Sequence, residues 1–259
     1  MTAARVHRRG RVIDIAWVVL AAAVLVSAWK AIVVVGDYPA FILPAPEVVA
    51  RRFAGAWTSG LMTGHTLTTL SEIAMGFTIG AVVALLTGYL LARSRLAERL
   101  LSPYLVAAQA TPVLALAPLI ALWFGNGAIG KVIICSLIVF FPVAVATMVG
   151  IRQVDVSLLE LGRSLRATRL QVIAKLEIPA ALPAIFGGLR VGITLAVIGA
   201  IIGEWSGGES GLGVLINLAR ASLFDIPLLF ATLLTIAIIG VALYLAVLTV
   251  EHRVVGERS

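Results

Sequence analysis

The sequence predicts an all-α membrane protein with six membrane-crossing helices, and three observations lead there. Of its 259 residues, 61% are apolar and only 13% are charged, where soluble domains hold about 45–50% and roughly 25%. The mean hydropathy is +1.07. Six apolar stretches, at about 12–35, 67–92, 104–124, 131–150, 181–203 and 226–250, are each long enough to cross, because roughly 20 helical residues span a hydrocarbon core of about 30 Å. No water-soluble packing of a chain this size hides that much apolar surface. The net charge of +7 comes from basic residues lying between the apolar runs. They form no groove with stacking aromatics, so membrane lipid is an expected partner and nucleic acid is not.

Each stretch has its own justification. Arg8, Arg9 and Arg11 precede the first as they would a secretory leader. The run outlasts a leader's core, however, and has no small-residue cleavage site before Lys30, so an uncleaved span is expected. The basic residues then set the orientation. With the N-terminus inside, fourteen of the 20 lysines and arginines fall on the inner side. They are Arg5, Arg8, Arg9 and Arg11; Arg93, Arg95 and Arg99; Arg152, Arg163, Arg166, Arg169 and Lys175; Arg253 and Arg258. The expectation is a multi-pass protein of a prokaryotic plasma (inner) membrane with both termini cytoplasmic. Outside lie a long connection over 36–64 with the stiff Leu43-Pro44-Ala45-Pro46 and a short helix from Glu47, a tight turn at Asn126–Gly130, and a Gly-rich segment over 205–224. The chain divides into 1–64 (first span and external connection), 65–250 (transmembrane core) and 251–259 (cytoplasmic tail).

The longest inner loop, about 151–179, is built to fold. Ser157-Leu158-Leu159-Glu160 and Thr168-Arg169-Leu170-Gln171 each fit a capping box, in which side chains satisfy the free amides that start a helix. The residue before a proline disfavours helical geometry, so Ile178-Pro179 is expected to end the second helix. Two short helices with a bend near Arg166-Ala167 follow, the first with an apolar stripe of Leu158, Leu161 and Leu165. Such a helix either lies in the lipid headgroups or docks into a soluble partner. Both roles stay open on the residues alone.

The segment Glu160-Leu161-Gly162-Arg163-Ser164-Leu165-Arg166-Ala167, followed by Leu176-Glu177-Ile178-Pro179-Ala180-Ala181-Leu182-Pro183, resembles the EAA loop of binding-protein-dependent ABC importer permeases. Phe41-Ile42-Leu43-Pro44-Ala45-Pro46, Gly76-Phe77, Ala117-Pro118-Leu119, Trp123-Phe124-Gly125, Gly203-Glu204-Trp205 and Gly211-Leu212-Gly213 are similar to further motifs of that family. The resemblance covers most of the chain and is nearest to the branch for nitrate, sulfonates, taurine, thiamine-pyrimidine and riboflavin-type compounds. It implies a type-I ABC importer transmembrane domain over 65–250 with residues 160–167 as a coupling helix. The implied partners are a second copy of this chain, two cytoplasmic ATPase subunits and an extracytoplasmic substrate-binding protein. ATP and magnesium would then sit on the ATPase, with no cofactor in this chain. Two departures stand out. The family usually has glycine at the bend where this chain has Arg166, and the loop reads Glu-Leu-Gly where Glu-Ala-Ala is usual.

Other motifs carry less. Gly125-Asn126-Gly127-Ala128-Ile129-Gly130-Lys131 has P-loop spacing, but Val132 replaces the hydroxyl that would ligate magnesium. Gly76/Gly80 and Gly188/Gly192 are pairs suited to close helix packing. His7, His65 and His252 are scattered, and no catalytic or metal constellation is expected. Within the spans, Glu72 lies roughly 10 Å deep and Arg190 roughly 14 Å, at 1.5 Å per residue. They therefore either pair with each other, or Glu72 faces the translocation path. Gln109, Thr111, Trp123 and Glu204 are the other candidates for that path. An acidic Glu72, where sulfonate-type permeases often have arginine, tilts the expected cargo toward a heterocyclic vitamin or its precursor, with sulfonate, taurine or nitrate as the alternative. An ion-coupled secondary transporter is the rival outside the family, and it would favour an inverted repeat, which the sequence lacks.

Overall fold

A computed structural model describes residues 3–256, with side chains from Trp17 onward apart from those of 102, 106, 109 and 110. All of the regular structure among the described residues is helical. Helix α1 (Ala3–Val35) lies against the edge of the body, with no residue of its Trp17–Val35 stretch buried and Trp29 stacked on Phe230. Pro44 and Pro46 lead into α2 (Pro46–Thr58), with a proline in its first turn, where the missing amide costs nothing. Lys30 of α1 pairs with Glu47 of α2.

Three long helices form the core: α3 (Leu61–Arg93), α6 (Ala128–Arg152) and α9 (Ile178–Trp205). In lipid the hydrophobic effect does not drive helices together, so close packing must. Small residues supply it. A Cβ on Gly80 would lie 2.6 Å from the Ser136 carbonyl oxygen of α6, and one on Gly188 would collide with Ala146. Both glycine pairs thus serve helix contacts inside this chain. Cys135 sits at the centre, fully buried, its thiol 3.4 Å from the Ala196 carbonyl oxygen. Helix α11 (Ile226–Val255) packs on α9 and α2, capped by Asp225, whose Oδ2 also accepts from Arg52 at 2.7 Å.

One expected span differs. Residues 104–124 are not a single helix: α4 (Arg95–Ala110) and α5 (Val113–Phe124) break at Thr111. Thr111 precedes Pro112 and adopts φ −78°, ψ 123°, the extended geometry that a following proline ring imposes. Among the described residues, five helices are long and apolar enough to cross a membrane by themselves. At 12 residues, α5 is about 18 Å long and does not.

Candidate functional site

The loop between α6 and α9 folds from its local sequence. Asp155, not Ser157, caps the first helix, α7 (Val156–Ser164), accepting from the Ser157 amide at 2.9 Å. Both residues suit the cap, and the aspartate comes first. That amide and the Ser157 hydroxyl hold the Asp155 carboxyl below the ordinary aspartate range. At the other end the Arg166 amide donates to Arg163 O at 2.9 Å and the Ala167 amide to Gly162 O at 3.0 Å. This is a Schellman closure, which places its C′ residue in the left-handed region. Arg166 occupies that position at φ 52°. The bend therefore sits where the resemblance implies it, and arginine carries the conformational cost that glycine would avoid.

Thr168 then opens α8 (Arg169–Val172) with both bonds of its capping box, Gln171 N–H to Thr168 Oγ1 at 3.3 Å and Thr168 N–H to Gln171 Oε1 at 2.8 Å. Pro179 does not stop the helix that follows. A π turn over Ile173–Glu177 shifts the bonding register, with the Ile178 amide reaching Ile173 O, and α9 continues directly with the proline in its first turn. The wider turn accommodates the residue that cannot donate.

Of the candidate coupling residues, Gly162 is buried against Leu176 and Val172, and Ala167 is half-buried. Glu160, Arg163, Ser164 and Arg166 are exposed, the Ser164 hydroxyl donating to Glu160 O at 3.0 Å. So are the apolar Leu161 (53%), Leu165 (72%) and Leu170 (78%). Around its base, Arg152 bridges Glu98 at 2.7 Å and the Leu91 carbonyl at 3.0 Å, and Glu177 of the π turn receives Arg93 and Tyr89 from α3.

The far end of the core holds a second polar cluster. Glu72 and Arg190 do not meet. Glu72 of α3 pairs with Lys131 of α6 at 2.8 Å, both almost fully buried, while Arg190 pairs with Glu251 of α11 at 3.2 Å. Lys131 also donates to Ser210 O at 3.2 Å. Glu204, 1% exposed, accepts from Thr69 Oγ1 at 2.6 Å and from the Gly213 amide. Thr69 Oγ1 in turn accepts the Leu212 amide at 2.9 Å, and His65 Nδ1 lies 2.9 Å from Gly211 O. The Gly-rich segment is thereby bolted onto α3, α6 and α9, and Gly211, at φ 127° with Glu204 packed where a Cβ would stand, admits no other residue without rearrangement. Glu72 and Glu204 are sealed inside this helix bundle. Thr111 is exposed at the α4–α5 break, its hydroxyl on Ala107 O at 3.0 Å, and Trp123 is 70% exposed near the end of α5. The Gln109 side chain lies outside the described residues. Lys131, Glu177 and Arg93 enter the sequence reading in other connections and Tyr89 not at all, and none of the four is assigned there to a buried polar contact. A lysine three residues into an apolar helix was the signal for the first, and a glutamate two residues before a proline at a helix junction for the second.

A family model for the binding-protein-dependent transport system inner membrane component matches residues 51–256. The chain belongs to this family of ABC importer permeases. The permease is 45% identical to the riboflavin transport system permease protein RibX of Chloroflexus aurantiacus, over 88% of its own length and 84% of the relative's. A Bacillus subtilis relative named for aliphatic sulfonates is 35% identical, over 84% of this chain and 79% of its own length. In fold the permease is similar to a chain of the inward-facing methionine ABC transporter MetNI (TM-score 0.65, 19% identity, 75% of this chain and 95% of that one).

Proposed function

We propose that this chain forms, as a homodimer, the translocation path of an ATP-driven importer for a heterocyclic vitamin or its precursor, riboflavin being the first compound to test. Two ATPase subunits bind the inner loop at residues 160–167, and an external binding protein delivers cargo at the opposite end. One observation carries the assignment of the loop: its doubly capped helices hold Leu161, Leu165 and Leu170 outward, ready to enter a groove of a soluble partner. The same end of the bundle collects Arg93, Arg95, Arg99, Arg152, Arg163, Arg166, Arg169 and Lys175, which supports its placement in the cytoplasm with both chain termini. ATP-driven closure of the ATPases then draws the two loops together and swings the helices from inward- to outward-facing.

The cargo reading rests on the 45% identity to the riboflavin permease. It no longer rests on Glu72, whose charge is met by Lys131 inside the bundle and does not select a cation in the path. Two experiments test the proposal. Deleting residues 156–178 should abolish co-purification of the ATPase while the chain still inserts in the membrane, and retained association refutes the docking assignment. Mass spectrometry of the ligand held by the partner binding protein tests the cargo, and a sulfonate there refutes the vitamin reading. Uptake by proteoliposomes containing this chain alone would instead establish an ion-coupled carrier.

A further inference from the structure

The loop leans on the rest of the protein through its π turn: α7 and α8 both pack on Ile173–Glu177, with Gly162 seated against Leu176. From that turn two connections leave. One is covalent, into α9. The other is the Glu177 carboxylate, 4% exposed, which receives the Arg93 guanidinium (Nε at 3.1 Å) and the Tyr89 hydroxyl at 3.2 Å. Tyr89 and Arg93 are one helical turn apart on the last turns of α3, so they grip the carboxylate from one face. A buried carboxylate with three donors resists separation, because pulling it free leaves charges uncompensated in a low-dielectric setting. The π turn beside it carries one more residue than an α-helical register needs.

We propose that Glu177, Arg93 and Tyr89 are positioning residues that transmit loop movement to α3, so that α3 and α9 move together when the ATPases close. The inference rests on the loop being the ATPase-docking element. Without the joint, movement of the loop reaches α9 through the chain and α3 only through the packing of the core helices. α3 holds Thr69, which accepts the Leu212 amide of the Gly-rich segment at the far end, and Glu72, which pairs with the Lys131 that donates to Ser210 O. The joint therefore extends the reach of the motor across the whole core.

The test uses the full transporter in proteoliposomes. Thr63→Cys reports on the far end of α3 and Trp205→Cys on the far end of α9, both exposed positions, with maleimide labelling compared before and after trapping with ATP and vanadate. In the otherwise unaltered protein both labels should respond to trapping. With Glu177→Gln the ATPase should still co-purify and the α9 label should still respond. The α3 response should fall by about fivefold or more, the lower end of ordinary allosteric coupling. The swap Arg93→Glu/Glu177→Arg should restore a large part of it, which a merely structural role would not predict, and Tyr89→Phe should give a smaller loss. An unchanged α3 response in assembled Glu177→Gln transporter overturns the proposal alone. A permease that captures no ATPase even without these substitutions overturns the docking assignment, and the proposal with it.

Discussion

Replacing Lys131 by methionine tests the far polar cluster most directly. Lys131 and Glu72 are 6% and 1% exposed and 2.8 Å apart. At an effective dielectric of 20 such a contact is worth about 6 kcal/mol before desolvation is subtracted. Removing one partner of a buried pair costs about 3–5 kcal/mol, because the survivor is stranded, whereas removing both in favour of apolar side chains is often neutral. Taking 3 kcal/mol, the equilibrium for opening the core shifts by roughly 150-fold, at 1.4 kcal/mol per tenfold. The protein carries its own reporter. Cys135 is the single cysteine, fully buried between Gly76 of α3 and Gly199 of α9, so its reaction with a maleimide requires those helices to part. Labelling in detergent should therefore accelerate by about two orders of magnitude in Lys131→Met and in Glu72→Leu, and return to within about tenfold of the parent rate in the double variant. If the effects of the two single substitutions simply multiply in the double variant, the ion pair does not hold the core and the reasoning fails.

Other substitutions probe the remaining elements. Arg166→Gly should relieve the left-handed strain at φ 52° and stabilise the bend by about 1 kcal/mol, slowing amide exchange at Arg166 and Ala167 by roughly fivefold; faster exchange would contradict the Schellman assignment. Gly80→Val should overpack α3 against the Ser136 backbone, costing about 1–3 kcal/mol in thermal stability, while Gly187→Ala, with open space around it, should be silent. Equal effects of the two would remove the packing argument. The depressed Asp155 carboxyl stabilises the start of α7 fully above the ordinary aspartate range, and that stability disappears as pH falls through the lowered value. Exchange of the Ser157 amide, corrected for its intrinsic rate, should follow that profile and lose it in Asp155→Asn. Leu165→Asp should weaken ATPase capture without altering Cys135 labelling.

What the sequence disclosed depended on whether the governing interaction was local. The capping box at Thr168 and Gln171 spans four residues and contains all of its own partners, so it reads directly from the chain. Thr111-Pro112 is equally local, yet the apolar run across it dominated the span reading and hid the break. Pro179 misled in the opposite direction: the rule that proline ends a helix assumes an α register, and a π turn upstream sidesteps it. Arg166 shows a neighbouring-residue rule overridden from outside, since two backbone hydrogen bonds hold arginine in a conformation that its Cβ disfavours. The intramembrane charges were the least legible. Counting residues gives depth along a helix but not direction around it, so Glu72 and Arg190 appeared matched while each faced a different neighbour. The ion pair at Glu177 links residues 84 apart in sequence, and no pattern in either segment announces the other.

The unbroken path from Arg169 through the π turn to Trp205 covers 37 residues, about 55 Å at 1.5 Å per residue. A bilayer with its headgroups measures about 40–45 Å. This rod is therefore longer than the slab it crosses, and about 10 Å or more must overhang. The overhang acts as a handle: a sideways push applied to it in water becomes a tilt within the hydrocarbon, with the headgroup layer as fulcrum. A membrane a few ångströms thicker or thinner would change how much of the handle emerges, but not the stiffness of the rod.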